Sequence, residues 1–310
     1  MKILVTPRSF GKNDDAPFKL LEGKGVEIVR NDTGGIMSEE AMKAAVKGVE
    51  GIIVGVDPLT AGVMSEAPEL RAVAKYGVGT DNIDLGYCSA NGIKVSITTG
   101  ANSGAVADYT FALMLALARK IVPIDKQCRE KDWTKITTSD VAGKTLGLIG
   151  LGSIGKNVVS RAKGFDMRVL AYRRSWDEKY AAEAGVEYAT VDEICAQSDF
   201  ISLHAPLTDE TRNVIGQREI SLMKPGAFVI NTSRGGLIDE DALLDALESR
   251  RIGGAGLDVF AKEPPEDVRW FSLDNVVLGS HCAASTTGAA DMMSLMSAKN
   301  LLCDLGLTGE

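Results

Sequence analysis

The two histidines of the sequence, His204 and His281, are the side chains best suited to acid–base chemistry near neutral pH. His281 follows the apolar run 275–278, which reads as a strand. Arg234, in the motif NTSRGG, and Glu263, in the motif GLDVFAKEP, also stand after strand-like runs. Sites in open α/β sheets are built at the carboxyl ends of strands, so these segments are candidates for a catalytic site.

The motif GLGSIG, residues 150–155, could bind the phosphates of a dinucleotide. A strand-like segment, 145–149, precedes it, a helix-like segment, 156–163, follows it, and another strand-like run covers 167–172. In this context the first glycine permits a tight turn and the second lets backbone approach a pyrophosphate. The third lets the helix pack on the strand, and N–H groups at the helix start hold the phosphates. The alternative is an ordinary strand-to-helix turn.

The segment YRRS, residues 172–175, ends the second of these strands and bears on the choice of cofactor. An NAD enzyme usually has Asp or Glu here, which binds the ribose 2′-hydroxyl. Two guanidiniums and a hydroxyl instead suit a 2′-phosphate. We therefore predict NADP(H), with NAD(H) as the alternative if Arg173 and Arg174 are only solvated surface charges.

The order of motifs GLGSIG, HAPLT, NTSRGG, GLDVFxxEP and SHxAAST resembles that of the D-isomer-specific 2-hydroxyacid dehydrogenases. This family includes phosphoglycerate dehydrogenases, glyoxylate/hydroxypyruvate reductases and formate dehydrogenase. The resemblance extends from the segment YGVGTDNID, 76–84, to the last helical segment. It implies an enzyme that transfers a hydride between a nicotinamide cofactor and a 2-hydroxy acid.

The resemblance assigns roles that reduction of a 2-oxo acid requires. Arg234 matches the family arginine, whose planar fork can orient the substrate carboxylate and polarise the carbonyl. His281 matches the proton donor, and Glu263 matches the acidic partner that holds the imidazole. The alternatives are a surface ion pair for Arg234, a solvated loop residue for Glu263 and a structural histidine for His281.

The same resemblance implies the binding residues. His204 is expected at the cofactor's edge rather than in catalysis, and Asp258 is expected to contact the nicotinamide carboxamide. The backbone N–H groups of Val78 and Gly79 would receive the substrate carboxylate. The predicted cofactor-binding residues are Gly150, Gly152, Ser153, Ile154, Gly155, Tyr172, Arg173, Arg174, Ser175, His204, Pro206, Thr232 and Asp258. The predicted substrate-binding residues are Lys75, Val78, Gly79 and Arg234.

The sequence departs from the family pattern at two places. Ser280 stands directly before the histidine, where the family often has proline. Gly55 and Lys75 stand at the positions where phosphoglycerate enzymes commonly have arginines for the substrate phosphate. One of the two cations is therefore missing, which makes 3-phosphoglycerate a weaker candidate substrate.

Short β-branched runs alternate with helix-length segments along the chain, which predicts an α/β fold. We expect two doubly wound, Rossmann-like domains with parallel sheets and a cleft between them. Residues 1–100 plus 285–310 are predicted to form a flavodoxin-like, substrate-binding domain. Residues 101–284 are predicted to form the NAD(P)-binding Rossmann domain. A long, largely apolar helix is predicted over 102–119, and it matches the element through which the family dimerises.

The composition restricts the partners and the location. The 310 residues carry a net charge of −8 with no basic block, which argues against nucleic acid or an anionic membrane as a partner. The N-terminal apolar run is too short for a signal peptide. The five cysteines are scattered without a CxxC pair, so neither disulfides nor a metal site are expected. We predict a cytoplasmic homodimer.

These observations together predict an oxidoreductase that uses NADP(H) to reduce a small 2-oxo acid, such as glyoxylate or hydroxypyruvate, with His281 as the proton donor. One alternative is a short NAD-dependent D-3-phosphoglycerate dehydrogenase. An alternative of another class is a dinucleotide-sensing regulatory protein, which would have no need of Arg234, Glu263 and His281.

Overall fold

The computed structural model describes residues 1–307, and the chain divides into two compact units. The first unit contains Met1–Asn102 and the C-terminal segment that starts at Ser285. The second unit contains Ser103–Ala284. Within residues 1–307, no helix is both long enough and apolar enough to cross a lipid bilayer.

The first unit is built on a five-stranded sheet. Its strands are β1 (Lys2–Val5), β2 (Glu27–Arg30), β3 (Gly51–Val54), β4 (Ala72–Lys75) and β5 (Lys94–Ile97). All neighbouring strands are parallel, and their order is β2-β1-β3-β4-β5, the order of flavodoxin-like sheets. Every residue of β3 and β4 is buried, as expected for central strands that are covered on both faces.

Four helices of the first unit connect these strands. They are α1 (Ala16–Glu22), α2 (Glu39–Ala45), α3 (Ala61–Met64) and α4 (Leu85–Ala90). The starts of α2, α3 and α4 are fixed by Ser38, Thr60 and Asp84, whose side chains each accept a hydrogen bond from a backbone N–H of the first turn.

The second unit begins with two helices, α5 (Ser103–Ala118) and α6 (Ile121–Arg129), and continues as a seven-stranded parallel sheet. The strands are β6 (Thr145–Ile149), β7 (Arg168–Tyr172), β8 (Val186–Tyr188), β9 (Phe200–Leu203), β10 (Phe228–Asn231), β11 (Gly254–Leu257) and β12 (Val276–Leu278). Their order is β12-β11-β10-β9-β6-β7-β8, so the direction of winding reverses between β6 and β9. Ligands of doubly wound sheets bind at such a reversal.

The crossover helices of the second unit are α7 (Ser153–Ala162), α8 (Glu178–Ala184), α9 (Val191–Gln197), α10 (Gln217–Leu222) and α11 (Glu240–Glu248). Short 3₁₀ helices cover Lys163–Phe165, Gly235–Leu237 and Val268–Phe271. Helix α5 packs on α7, β10 and β11 and buries Val106, Phe111 and Met114.

The last helix, α12 (Thr287–Asp304), belongs to the first unit, although the second unit precedes it in the chain. It packs on α1 and on the strands β3, β4 and β5. Its buried side chains Leu301 and Leu302 join a cluster with Ile3 and Val5 of β1. The N- and C-terminal segments of the chain therefore share one hydrophobic core.

The predicted fold class is confirmed, because both sheets are parallel and are joined by helical crossovers. Helix α7 begins at Ser153, three residues earlier than the helix-like segment predicted from residue 156. The reason lies in the glycine motif: Gly152 is extended (φ −85°, ψ −161°) and caps the helix, so the last three residues of GLGSIG are already helical.

Candidate active site

The three glycines of the turn between β6 and α7 have different surroundings. Gly150 has φ +109°, and a Cβ on it would lie 2.4 Å from the carbonyl oxygen of His204. A Cβ on Gly155 would lie 2.5 Å from the carbonyl oxygen of Gly150. A Cβ on Gly152 would meet no atom within 4 Å. Chain packing thus requires the first and third glycines, whereas the second leaves open space beside the backbone, as a pyrophosphate needs.

The start of α7 supplies backbone donors directly after that open space. Gly152 has no side chain, so no side-chain cap satisfies the first N–H groups of this ten-residue helix. The Ser153 hydroxyl lies 2.9 Å from the hydroxyl of Ser103 at the start of α5. Uncapped N–H groups and the positive end of the helix dipole favour phosphate, so the residues of this turn fit a dinucleotide.

The two arginines after β7 are in different environments. Arg173 is half-buried, and its Nη1 donates to the carbonyl oxygen of Leu151 in the glycine turn at 3.2 Å. Arg174 is 82% exposed and pairs with Glu210, itself 74% exposed, at 2.9 Å. Tyr172 is half-buried and Ser175 is exposed. Only Arg173 of the two is therefore held against the predicted dinucleotide turn.

His204 lies at the end of β9, beside the glycine turn. Its Nε2 is 2.9 Å from the hydroxyl of the fully buried Ser202, and its buried Nδ1 has no hydrogen-bond partner within residues 1–307. Burial lowers the pKa of His204 to about 4. The imidazole is therefore neutral near pH 7 and is poorly suited to donate a proton there. The next predicted residue, Pro206, accepts a hydrogen bond from the Thr211 hydroxyl at 2.7 Å.

Asp258, at the end of β11, organises the segment that carries His281. Its side chain is buried, and its two carboxylate oxygens accept the backbone N–H groups of Cys282 at 2.9 Å and Ala283 at 2.7 Å. Its carbonyl oxygen accepts the N–H of His281 at 2.8 Å. A Cβ on Gly279 would lie 2.2 Å from the carboxylate, so the segment closes tightly around it.

His281 and Glu263 form a direct pair. The imidazole Nδ1 lies 2.9 Å from Glu263 Oε2, and the two side chains are 44% and 38% exposed. The other carboxylate oxygen, Oε1, accepts the N–H of Phe260 at 3.1 Å. His281 has φ +58°, an uncommon conformation for a residue other than glycine, and the hydrogen bond to the Asp258 carbonyl supports it. The pair leaves Nε2 as the imidazole nitrogen for a substrate.

Arg234 is half-buried after β10, in a turn held by its neighbours. The Asn231 side chain donates to the carbonyl oxygen of Arg234 at 2.8 Å, and Arg234 Nη1 donates to the Ser233 carbonyl oxygen at 2.7 Å. A Cβ on Gly235 would lie 1.9 Å from the carbonyl carbon of Phe260. The turn after Arg234 therefore packs directly on the turn that carries Glu263, and only glycine permits this approach.

Two neighbours of Asp258 were not identified in the sequence. The Cys282 thiol lies 3.3 Å from the hydroxyl of Tyr109 on α5 and 3.6 Å from Asp258 Oδ1. Burial raises the pKa of Tyr109, and the contacts with Cys282 and Asp258 raise it further. Cys282 could have been suspected because it follows the histidine, but Tyr109 lies 173 residues away and gives no local signal. The predicted Thr232 is also buried, with its hydroxyl 3.1 Å from that of Thr110 on α5.

The predicted substrate-binding residues of the first unit lie at and after the end of β4. Lys75 is 5% exposed, and its ammonium donates to the carbonyl oxygen of Gly55 and, at 2.8 Å, to the Asn82 side chain. Val78 is exposed, and Gly79 is half-buried. The Lys75 side chain thus connects the segments that follow β3 and β4.

The second unit brings the predicted catalytic residues together at one edge of its sheet. Arg234, Glu263 and His281 follow β10, β11 and β12, which are neighbours in the sheet. The glycine turn follows β6 on the same edge, because all seven strands are parallel. An imidazole paired to a carboxylate, with a guanidinium on the adjoining turn, can donate a proton and bind an anion.

Comparison with known proteins finds a matching family and similar enzymes. Residues 111–283 match the family described as D-isomer specific 2-hydroxyacid dehydrogenase, NAD binding domain. The chain is 44% identical over 253 residues to a glyoxylate reductase of Korarchaeum cryptofilum, covering 79% of this chain and 76% of that protein. It is 40% identical over 294 residues to a D-3-phosphoglycerate dehydrogenase of Methanocaldococcus jannaschii, covering 93% of this chain and 54% of that protein.

A solved structure is similar over nearly the whole chain. The D-lactate dehydrogenase of Aquifex aeolicus, crystallised with NAD and lactic acid, superposes with a TM-score of 0.85 at 31% identity. The match covers 99% of this chain and 97% of that structure.

Proposed function

The chain belongs to the D-isomer-specific 2-hydroxyacid dehydrogenase family, and we propose that it reduces glyoxylate or hydroxypyruvate with NADP(H) to the D-2-hydroxy acid. Membership makes it a hydride-transferring oxidoreductase with a nicotinamide dinucleotide as cofactor. The observation that carries the proposal is the pair of His281 and Glu263, 2.9 Å apart, on a turn in contact with that of Arg234.

Each side chain then has one task. The bound dinucleotide supplies the hydride. Glu263 accepts the hydrogen bond from Nδ1 of His281, which orients the ring and leaves the Nε2 proton for the carbonyl oxygen. The guanidinium of Arg234 holds the substrate carboxylate and polarises the carbonyl. His204 is neutral near pH 7, because burial lowers its pKa to about 4, so it is not the proton donor.

The preference for NADP(H) rests on the residues after β7. Arg173 is held at the glycine turn through the Leu151 carbonyl oxygen, and its remaining donors suit a 2′-phosphate. Arg174 contributes less in this proposal, because its pairing with Glu210 on the surface agrees with the alternative role of a solvated charge. NAD(H) remains the alternative cofactor.

The preference for an unphosphorylated acid rests on the first unit. The N–H groups of Val78 and Gly79 are proposed to receive the substrate carboxylate. Gly55 has no side chain, and the Lys75 ammonium donates to the Gly55 carbonyl oxygen and to Asn82. The similarity to a D-3-phosphoglycerate dehydrogenase favours the second candidate, a short NAD-dependent enzyme of that activity.

We also propose a cytoplasmic homodimer. Ile121 and Val122 on α6 are each 54% exposed, and Trp133 after it is 78% exposed. Large apolar side chains exposed on one segment are typical of a surface that a second subunit covers. The five cysteines are not joined in disulfides, which suits a reducing compartment.

Initial rates of NADPH and NADH oxidation with glyoxylate, hydroxypyruvate and 3-phosphohydroxypyruvate test the proposal. We expect NADPH and the unphosphorylated acids to give the higher kcat/KM, and His281→Asn to reduce kcat by about 100-fold or more. His204→Asn is the matched histidine control and should retain most of kcat. Preference for NADH and the phosphorylated acid would support the second candidate. Cofactor binding without turnover of any acid would support a dinucleotide sensor.

A further inference from the structure

We propose that Glu240 is a positioning residue for the catalytic set, whose carboxylate fixes the turn 258–263 that carries Glu263. The inference rests on the proposed function, in which Glu263 orients His281. Glu240 itself has no assigned role in the reaction.

The contacts of Glu240 differ from those of an ordinary first residue of a helix. Asp239 is the N-cap of α11, and its side chain accepts the N–H of Ala242 at 3.2 Å. The helix start is therefore already capped. Glu240 instead accepts the N–H of Ala261 at 2.6 Å through Oε1, and it is half-buried. Its carboxylate thus serves another segment of the chain.

The hydrogen bond of Glu240 is next to that of Glu263. The N–H of Ala261 is held by Glu240, and the preceding N–H, that of Phe260, is held by Glu263 at 3.1 Å. The second carboxylate oxygen of Glu263 is 2.9 Å from His281. Two carboxylates therefore bind successive amides of one turn, and one of them continues to the imidazole.

The same turn is fixed from the side of Arg234. A Cβ on Gly235 would lie 1.9 Å from the Phe260 carbonyl carbon and 2.2 Å from the Ala261 nitrogen. Ala261 is exposed, so without Glu240 its N–H would bond to water, and the turn would lose the charged acceptor that holds it in place. Because a hydrogen bond to a carboxylate is stronger than one between neutral groups, the turn should become less well fixed, and Glu263 would shift with it.

Electrostatics argue against a purely incidental contact. Burial raises the pKa of Glu240, and the negative charges of Asp241 and Glu263 raise it further. The carboxylates of Glu240 and Glu263 therefore repel each other. The hydrogen bond from the Ala261 N–H lowers the pKa of Glu240 and so offsets part of these unfavourable effects.

Three variants test the inference: Glu240→Ala, Glu240→Gln and Asp241→Asn. Glu240→Gln keeps an oxygen acceptor at the same distance along the side chain. Asp241→Asn is the control, because it removes the charge of an adjacent carboxylate that is 89% exposed and pairs with Arg269. We expect Glu240→Ala to lower kcat by about 10- to 100-fold, with the KM for the cofactor within about twofold, because misplaced catalytic groups cost rate rather than cofactor binding. Glu240→Gln should recover kcat to within about threefold, and Asp241→Asn should match the wild type.

A second measurement needs no substrate. Labelling histidine with ¹⁵N gives signals from only two rings, and the Nδ1 proton of His281 should be visible because Glu263 binds it. It should persist in Glu240→Gln and disappear in Glu240→Ala. If this pattern holds while the wild type reduces no 2-oxo acid, the proposed function fails and the positioning role stands.

Other results would overturn the positioning role. One is a Glu240→Ala variant whose kcat and whose His281 Nδ1 proton signal are both unchanged. Another is a loss of kcat in Glu240→Ala that is fully explained by a smaller fraction of folded protein. The third is a loss of kcat in Asp241→Asn equal to that in Glu240→Ala. If the alanine variant does not fold, Glu240→Met, which keeps the length without an acceptor, replaces it.

Discussion

Replacing Gly152 with alanine should weaken dinucleotide binding and leave folding unchanged. A Cβ at this position meets no protein atom within 4 Å, and the backbone has φ −85°, which alanine adopts without strain. The added methyl group would instead occupy the space proposed for the pyrophosphate. Overpacking by a methyl group costs about 1–3 kcal/mol. A cost of about 2 kcal/mol corresponds to about a 30-fold increase in Kd for NADPH.

Calorimetric titration with NADPH, together with thermal unfolding of the free protein, measures both effects. Gly164→Ala is the matched control, because a Cβ at Gly164 also meets no atom within 4 Å and the residue lies beyond α7. It should bind NADPH like the wild type. If Gly152→Ala bound NADPH normally, the pyrophosphate would not lie against this glycine. If Gly152→Ala unfolded at a clearly lower temperature than the wild type, the added Cβ would be in contact with other protein atoms, and the space beside Gly152 would not be open.

Four further substitutions test other parts of the site. Asp258→Asn should lower the free energy of unfolding by about 3 kcal/mol in a denaturant titration, since a buried N–H loses its charged acceptor. The folded pKa of His204, about 4, lies below the unfolded value of about 6.5. The unfolded chain therefore binds the proton first, and stability that is fully present above about pH 6.5 should be lost as the pH falls to about 4. This loss is at most about 3 kcal/mol and should be smaller in His204→Gln. Arg173→Ala should raise the KM for NADPH about tenfold, while Arg174→Ala should change it less than twofold.

Each of these expectations can fail independently. An Asp258→Asn variant as stable as the wild type would show that the two backbone N–H groups find other acceptors. An unchanged acid transition in His204→Gln would mean that other groups cause the loss of stability. Equal effects of Arg173→Ala and Arg174→Ala on NADPH would remove the distinction between the two arginines, and an equal effect of either on NADH would argue against 2′-phosphate recognition.

Much of the fold could be predicted because local signals agree with the tertiary structure. Strand β6 begins and ends where the sequence predicts, and its residues 146–149 are all buried. The start of α7 was misplaced by three residues because a glycine in the third position of a helix reads as a turn residue. Only the contact between Gly155 and the Gly150 carbonyl oxygen shows that the helix needs it there.

The contacts around the predicted catalytic residues were less predictable. Arg174 looked equivalent to Arg173, and its partner Glu210 lies 36 residues later. Glu240 resembled any acidic residue of a helix N-terminus, and its bond to Ala261 spans 21 residues. Such partners are set by the arrangement of strand ends in the sheet. A pattern of residue types within one segment does not contain that information.

The close approach of Gly235 to Phe260 has a consequence for engineering. A designer who transplanted the Arg234 turn into another scaffold would also have to transplant the turn from Asp258 to Glu263, because the two turns pack directly against each other. Substituting Gly235 would separate Arg234 from the pair of Glu263 and His281 without altering any of those side chains. The two turns therefore form a single packing unit, and directed evolution of this protein should vary the residues of both turns together.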